Sequence, residues 1–341
     1  MDFSFAPFLD VDTLFFRQSV LAFVLFLQMI LGMVLPGQGH APPHTIWFSQ
    51  RLLASLSQKL NRPGRSKGAL RMRGFLSFLF ILLVAWGLAR LTIVAAYNIP
   101  YGWLISVFIV WGAVNVLVPW RSLRVLINAK NLKALPSLRQ GLSDLTDLQF
   151  SKSDPHTVAR GSIEFTAFTA LKFLAAPVLF YMIFGIYGLL LYTFLSFPPH
   201  GVEFGHQRQD VFFRWFYAAQ NLLDLIPARL TAAVMYVAAL LTPTAHPQYL
   251  ARTVFDGAQK WPGMAYGTLM KAMAGAVNVS LGGGVVYRDG QKILYPWVGP
   301  KDASAKAVLA DIKRAFVLHV FMTVLIFLGL LVSIVYSQQS L

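Results

Sequence analysis

The chain has 341 residues, 56% hydrophobic and only 13% charged, with a mean hydropathy of +0.58. Soluble domains carry about a quarter charged residues, so this composition excludes an ordinary globular enzyme and indicates a polytopic membrane protein. Cysteine is absent, which removes disulfides, thiol nucleophiles and thiolate metal sites, and the seven histidines show no HxxxH or HExxH spacing.

Charge is unevenly placed. Lys and Arg number 29 against 14 Asp and Glu, and no acid occurs between Asp12 and Asp144. The basic residues cluster in loops beside apolar spans rather than in a nucleic-acid-binding stripe. They predict orientation by the positive-inside rule and attraction to anionic lipids, with the bilayer as partner and no nucleic acid.

In chain order, Phe15 to Leu35 is apolar apart from Arg17 and Gln28, and is long enough to cross about 30 Å of hydrocarbon. It lacks the basic n-region and small-residue cleavage site of a signal peptide. Residues 37–73 hold Arg51, Lys59, Arg62, Arg65, Lys67, Arg71 and Arg73 with no acid, which predicts a cytoplasmic loop and an external N-terminus. Spans at Gly74–Ala96 and Tyr101–Pro119 follow, joined by a tight turn, with Arg90 as an interfacial anchor. Residues 120–162 return as a basic, amphipathic cytoplasmic segment.

Ile163 to Pro199 is an apolar run of 37 residues, too long for one straight crossing and interrupted by Pro177 and by Gly185 to Gly188. It reads either as a tilted helix with a continuation or as two half-length helices meeting at the break. Val211 to Leu241 begins amphipathically and becomes a span near Ile226. Residues 243–314 have a soluble composition and contain a hairpin signal at Asp289-Gly290. Residues 315–336 form the last span. The fold class is therefore an all-α polytopic integral membrane protein with five or six spans, one broken or re-entrant stretch, and a small cytoplasmic hairpin.

Two local features resemble known motifs without their chemistry. Gly282-Gly283-Gly284 reads as a loop, because no helix start or Lys-Ser/Thr follows it as a phosphate cradle requires. Asn278-Val279-Ser280 matches a glycosylation acceptor, but on the cytoplasmic side. Glu164 lies at the inner end of the long apolar run, four residues after Arg160 on one helix face. An ion pair fixing the helix end is expected, with a polar ligand contact as the alternative. Arg229, just past Pro227, is expected to contact freed carbonyls or Asp224.

Taken together, several segments resemble the CobD/CbiB family. Gly37 with Pro43-His44, Ala159-Arg160 with Ile163-Glu164, and Ala176-Pro177 with Phe180 match in family order. So do Ile226-Pro227-Ala228-Arg229-Leu230, Trp261-Pro262, Ala272 to Ala276 and Gly282-Gly283. The resemblance covers nearly the whole chain as a single domain, residues 1–341, and extends to the relative AmpE, linked to regulation of β-lactamase induction. It implies a bacterial inner-membrane protein. In cobalamin biosynthesis the family joins aminopropanol, or its phosphate, to adenosylcobyric acid using ATP and magnesium.

The acids of that pattern are missing. Aligned without gaps, they fall at Gln38, Leu148-Gln149, Phe168, Lys172, Pro199 and within Ala218 to Asn221. Magnesium on nucleotide phosphates is held by one or two carboxylates. The expectation is therefore a non-catalytic member acting as scaffold, regulator or subunit of another membrane complex, with no catalytic residue, metal or cofactor. Two alternatives remain: an active ATP- and magnesium-dependent amide synthase, and a binder of an anionic amphiphile. Candidate polar contacts are Arg160, Glu164, Lys172, Asp224, Arg229 and Trp261.

Overall fold

The computed structural model describes residues 13–35, 44–62, 64–128, 139, 142–143, 149–150, 153–196, 211–256, 264–283, 285–288, 291–294 and 296–339. Helix α1 (Leu14–Val34) starts on Thr13, whose hydroxyl accepts the Phe16 N–H at 3.2 Å. Helix α2 (His44–Leu60) is amphipathic, and α3 (Lys67–Asn98) starts on a Ser66 cap. A turn at 99–102 leads into α4 (Trp103–Ala113) and α5 (Leu117–Asn128). Then come α6 (Pro155–Thr169), a π-helical turn (Ala170–Ala175) and α7 (Ala176–Leu195). Next are α8 (Arg214–Leu223), α9 (Leu225–Leu241), α10 (Pro247–Phe255) and α11 (Met264–Val277). Strands β1 (Val285–Arg288) and β2 (Gln291–Leu294) precede α12 (Leu309–Gln339).

Five helical segments are long and apolar enough to cross a membrane, and the bent pair α8–α9 makes a sixth by length and composition. The protein is thus a polytopic helical membrane protein. The two strands pair antiparallel with Arg288 opposite Gln291, so a hairpin stands where Asp289-Gly290 predicted one; those two residues lie outside the described set.

The helices share two ends. At one, Arg124 donates to the carbonyls of Gly32 and Leu35 and closes the C-terminus of α1. This is the basic end. At the other, Gln18 of α1 meets Ser333 and Ser337 near the C-terminus of α12.

The long apolar run folds back on itself. Gly185 has φ +62°, and the aromatic rings of Phe180 and Tyr192, twelve residues apart, stack at 4.9 Å between centroids. In a straight helix they would stand about 18 Å apart. The structure therefore shows a long arm from Pro155 to Phe184, long enough to cross, with a short continuation from Ile186 to Leu195 that turns back on it, and not two half-length helices. Arg17 makes the reversal possible by donating to the Met182 and Ile183 carbonyls at 3.4 and 3.3 Å, where the first arm ends. The span between α4 and α5 is also broken. Gln28, fully buried, accepts from the Val116 N–H and donates to the Trp111 and Val114 carbonyls, so its side chain satisfies the interrupted backbone.

The span expected to begin near Ile226 belongs to the bent pair α8–α9. Phe212 begins it against Gly74 and Phe216 against Phe78, near the start of α3. Its far end reaches His246, whose N–H donates to Ala276, beside the loop that meets the first turns of α6. The 42° bend falls at Asp224, where Pro227 leaves the Leu223 carbonyl without its helical donor.

Candidate functional site

Three backbone irregularities converge in the interior of the bundle. The first arises from Pro177, which has no N–H for the Phe173 carbonyl four residues earlier. The chain widens there into a π-helical turn, and the freed Phe173 carbonyl accepts the Asn115 N–H from the α4–α5 break at 2.7 Å. Lys172 projects from this turn. The second is the bend at Asp224, and the third is the returning arm of α7, which carries Tyr192.

The side chains meet in a buried trio. Lys172 Nζ donates to Asp224 Oδ2, and the Tyr192 hydroxyl donates to Asp224 Oδ1 at 2.9 Å. Lys172 and Asp224 are each 1% exposed. The ammonium also lies 5.6 Å from the centre of the Tyr192 ring. Both oxygens of the Asp224 carboxylate are therefore engaged by the protein itself. One turn earlier on α8, Gln220 is 3% exposed and its Oε1 has no partner among the described residues.

A second polar cluster sits nearer the basic end. Asp154 caps α6 by accepting the His156 and Thr157 N–H groups at 3.1 and 3.2 Å, and also accepts the Thr157 hydroxyl. Burial raises its pKa, but the Thr157 and His156 hydrogen bonds and the Arg160 charge outweigh that and hold it below the ordinary 3.8. Arg160 donates to the Ala305 carbonyl and to the Thr157 hydroxyl, with Trp297 5.2 Å away across its guanidinium. Glu164 accepts the Gly282 N–H at 2.8 Å. The expected Arg160–Glu164 pair is not formed as such. The two face the same loop, and each binds its backbone instead of the other.

The candidates thus divide. Lys172 and Asp224 meet in one place and Arg160 and Glu164 in another, about 12 Å apart along α6 and its continuation. Arg229 stands apart and exposed. It donates to the Leu225 carbonyl of its own helix at 3.2 Å, which is not the Leu223 carbonyl that Pro227 frees, and Asp224 is held by other partners, so neither expected contact is formed. Trp261, and the positions Gln38, Leu148 and Pro199, lie outside the described residues. Of the positions aligned with family acids, Phe168 is a core residue, and the adjacent Thr169 hydroxyl faces the buried His319 at 3.5 Å. Among the described residues no three His, Cys, Asp or Glu side chains gather as a metal-ligand group. Gly282 and Gly283 form a positive-φ loop, and a Cβ on Gly283 would fall inside the Trp297 ring.

Sequence reasoning missed Tyr192, Trp297, and the roles of Gln28 and Arg17. A lone amide and a lone guanidinium in an apolar span were signals for the last two, since such groups need partners in hydrocarbon. Tyr192 gave none, standing in an aromatic-rich run.

A helical membrane bundle of crossing, broken and folded-back spans around a buried charge pair is the class of protein defined here. The chain belongs to the CobD/CbiB family: the family described as CobD/Cbib protein matches residues 21–319. Among curated relatives, Cobalamin biosynthesis protein CobD of Klebsiella pneumoniae is 25% identical over 84% of this chain and 88% of its own. Cobalamin biosynthesis protein CobD of Rhodobacter capsulatus is 30% identical over 80% and 85%. Cobalamin biosynthesis protein CbiB of Salmonella arizonae is 23% identical over the same shares. No solved structure matches.

Proposed function

We propose that this chain is a non-catalytic member of its family, an inner-membrane scaffold, regulator or complex subunit with its basic loops on the cytoplasmic side. One observation carries the reading: Lys172 occupies Asp224. The resemblance implies magnesium and ATP, and magnesium needs a carboxylate with a free lone pair facing phosphate oxygens. At this depth each carboxylate oxygen already accepts from a protein donor, and the ammonium on Oδ2 neutralises the carboxylate and opposes a divalent cation beside it. Glu164 is committed to Gly282 and Asp154 to its helix cap. These residues do not fit a nucleotide-bound magnesium ion, and no step is derived through one.

A second reading is favoured by the relatives, whose names place them in cobalamin biosynthesis and which match most of the chain. In that reading the chain is itself an amide synthase of the pathway. Purified protein titrated with magnesium and ATP in a thermal-unfolding assay separates the two. A ligand at 100 times its Kd stabilises by about 2.7 kcal/mol, several degrees for a protein of this size, if a site exists. The non-catalytic reading expects no shift, and a saturable shift requiring both magnesium and ATP would establish the second.

A further inference from the structure

Helices α9 and α10 diverge from the turn at 242–246, with α11 packed against both. Between them lies a crevice of about 760 Å³. Its walls are apolar: Ala233, Tyr236 and Val237 from α9, and Val254 and Phe255 from α10. Thr268 of α11 lies at its floor, and Arg229 is the one charged residue in the lining. Phe255 is 87% exposed and Val237 45% exposed, so the crevice opens outward at its rim.

Its position relative to the bundle decides what can fill it. Lys172 holds Asp224 level with the α4–α5 break, because Asn115 binds Phe173 and Gln28 binds Val116. Gln28 is six residues from the basic end of α1, about 9 Å. Arg229 follows Asp224 by five residues on α9, and the chain after α9 reaches His246, bonded to Ala276 beside the loop that meets α6 at the basic end. It therefore stands near the boundary of the hydrocarbon layer on the basic face. Among the described residues only Nη1 of its guanidinium is used, on its own helix carbonyl, and the side chain is exposed. A guanidinium offers five donors in a fork suited to phosphate oxygens.

We infer that this crevice is a binding site for one anionic phospholipid, its acyl chain lying between α9 and α10 and its phosphate on Arg229. Charge complementarity favours this occupant. A cation at headgroup depth above an apolar slot matches a phosphodiester joined to a hydrocarbon chain, and the face carries the basic loops that draw anionic lipid. The site is distinct from the buried Lys172 trio and does not depend on whether the chain is catalytic.

Native mass spectrometry of the full-length protein in non-ionic detergent, with added phosphatidylglycerol or phosphatidylcholine, tests this. One tightly held phosphatidylglycerol per chain is expected, preferred over phosphatidylcholine by about tenfold, because both offer a phosphodiester to Arg229 but phosphatidylcholine also brings a choline cation that opposes the guanidinium. Arg229→Ala should bring the two lipids to parity, and Arg229→Lys should keep part of the preference. Ala233→Trp, which fills the slot and leaves Arg229 in place, should remove the tightly held lipid. Each variant is first checked for an unchanged thermal-unfolding midpoint, and Ala233→Trp carries the test if Arg229→Ala unfolds. Retention of the preference in Arg229→Ala, or of the bound lipid in Ala233→Trp, overturns the inference by assigning the lipid to the basic loops.

Discussion

Lys172→Met is the most informative perturbation of the interior. Methionine keeps the length and apolar stem of lysine and removes only the ammonium. The substitution leaves the Asp224 carboxylate, 1% exposed, with the Tyr192 hydroxyl as its remaining partner among the bonds described above. Breaking a buried ion pair by removing one member costs about 3–5 kcal/mol, because the other charge stays desolvated. Lys172→Met should lose that much stability. Tyr192→Phe, which removes one hydrogen bond to a charged acceptor, should lose about 1.5–3 kcal/mol. The double variant Lys172→Met/Asp224→Leu removes both charges and fills the space, so it should recover most of the loss. Reversible unfolding in mixed micelles measures the cycle. A loss below about 1 kcal/mol for Lys172→Met, or additive single losses in the double variant, would refute the reasoning, since an isolated surface pair behaves that way.

Three further outcomes follow from particular contacts. Gly185→Ala places a Cβ at φ +62°, 3.0 Å from the Arg17 guanidinium, and should destabilise by about 1–3 kcal/mol; unchanged unfolding would mean that the reversal is not strained. Gln28→Leu strips the broken α4–α5 span of a donor and an acceptor. It should cost about 1–3 kcal/mol per orphaned group, measured in the same unfolding assay. Asp154→Ala removes the α6 cap at a cost of about 1 kcal/mol. Because the folded-state pKa of Asp154 is depressed, its contribution is present above 3.8 and is lost as pH falls below that value toward the folded pKa. The stability gap between wild type and Asp154→Ala should therefore close below pH 3.8, and a constant gap would assign the effect to packing.

The bundle was legible because membrane spans are written in long runs of one composition. Leu14–Val34 and Leu309–Gln339 lie close to the apolar limits at 15–35 and 315–336. The 37-residue run was visibly too long to cross once, but its resolution depended on Gly185 meeting Arg17, 168 positions away, which no local pattern encodes. The bend at Asp224 was missed for a related reason. Hydropathy over 211–241 permits a crossing, and only the packing of Phe212 on Gly74 shows where that segment begins. Lys172 and Asp224 were both candidates, yet their pairing depends on the register shift that Pro177 introduces through a π-helical turn. Arg160 and Glu164 were placed on one face correctly, and the loop that separates their partners was invisible to helical spacing.

The central claim is that the family architecture persists here without the family condensation. Growth of a cobalamin-requiring bacterium deleted for its own CobD, complemented by this chain with the Klebsiella pneumoniae relative in parallel, tests it most directly. With equal membrane levels of both proteins, the account predicts growth with the relative and none with this chain. Growth supported by this chain, and abolished by Asp224→Asn, would contradict it.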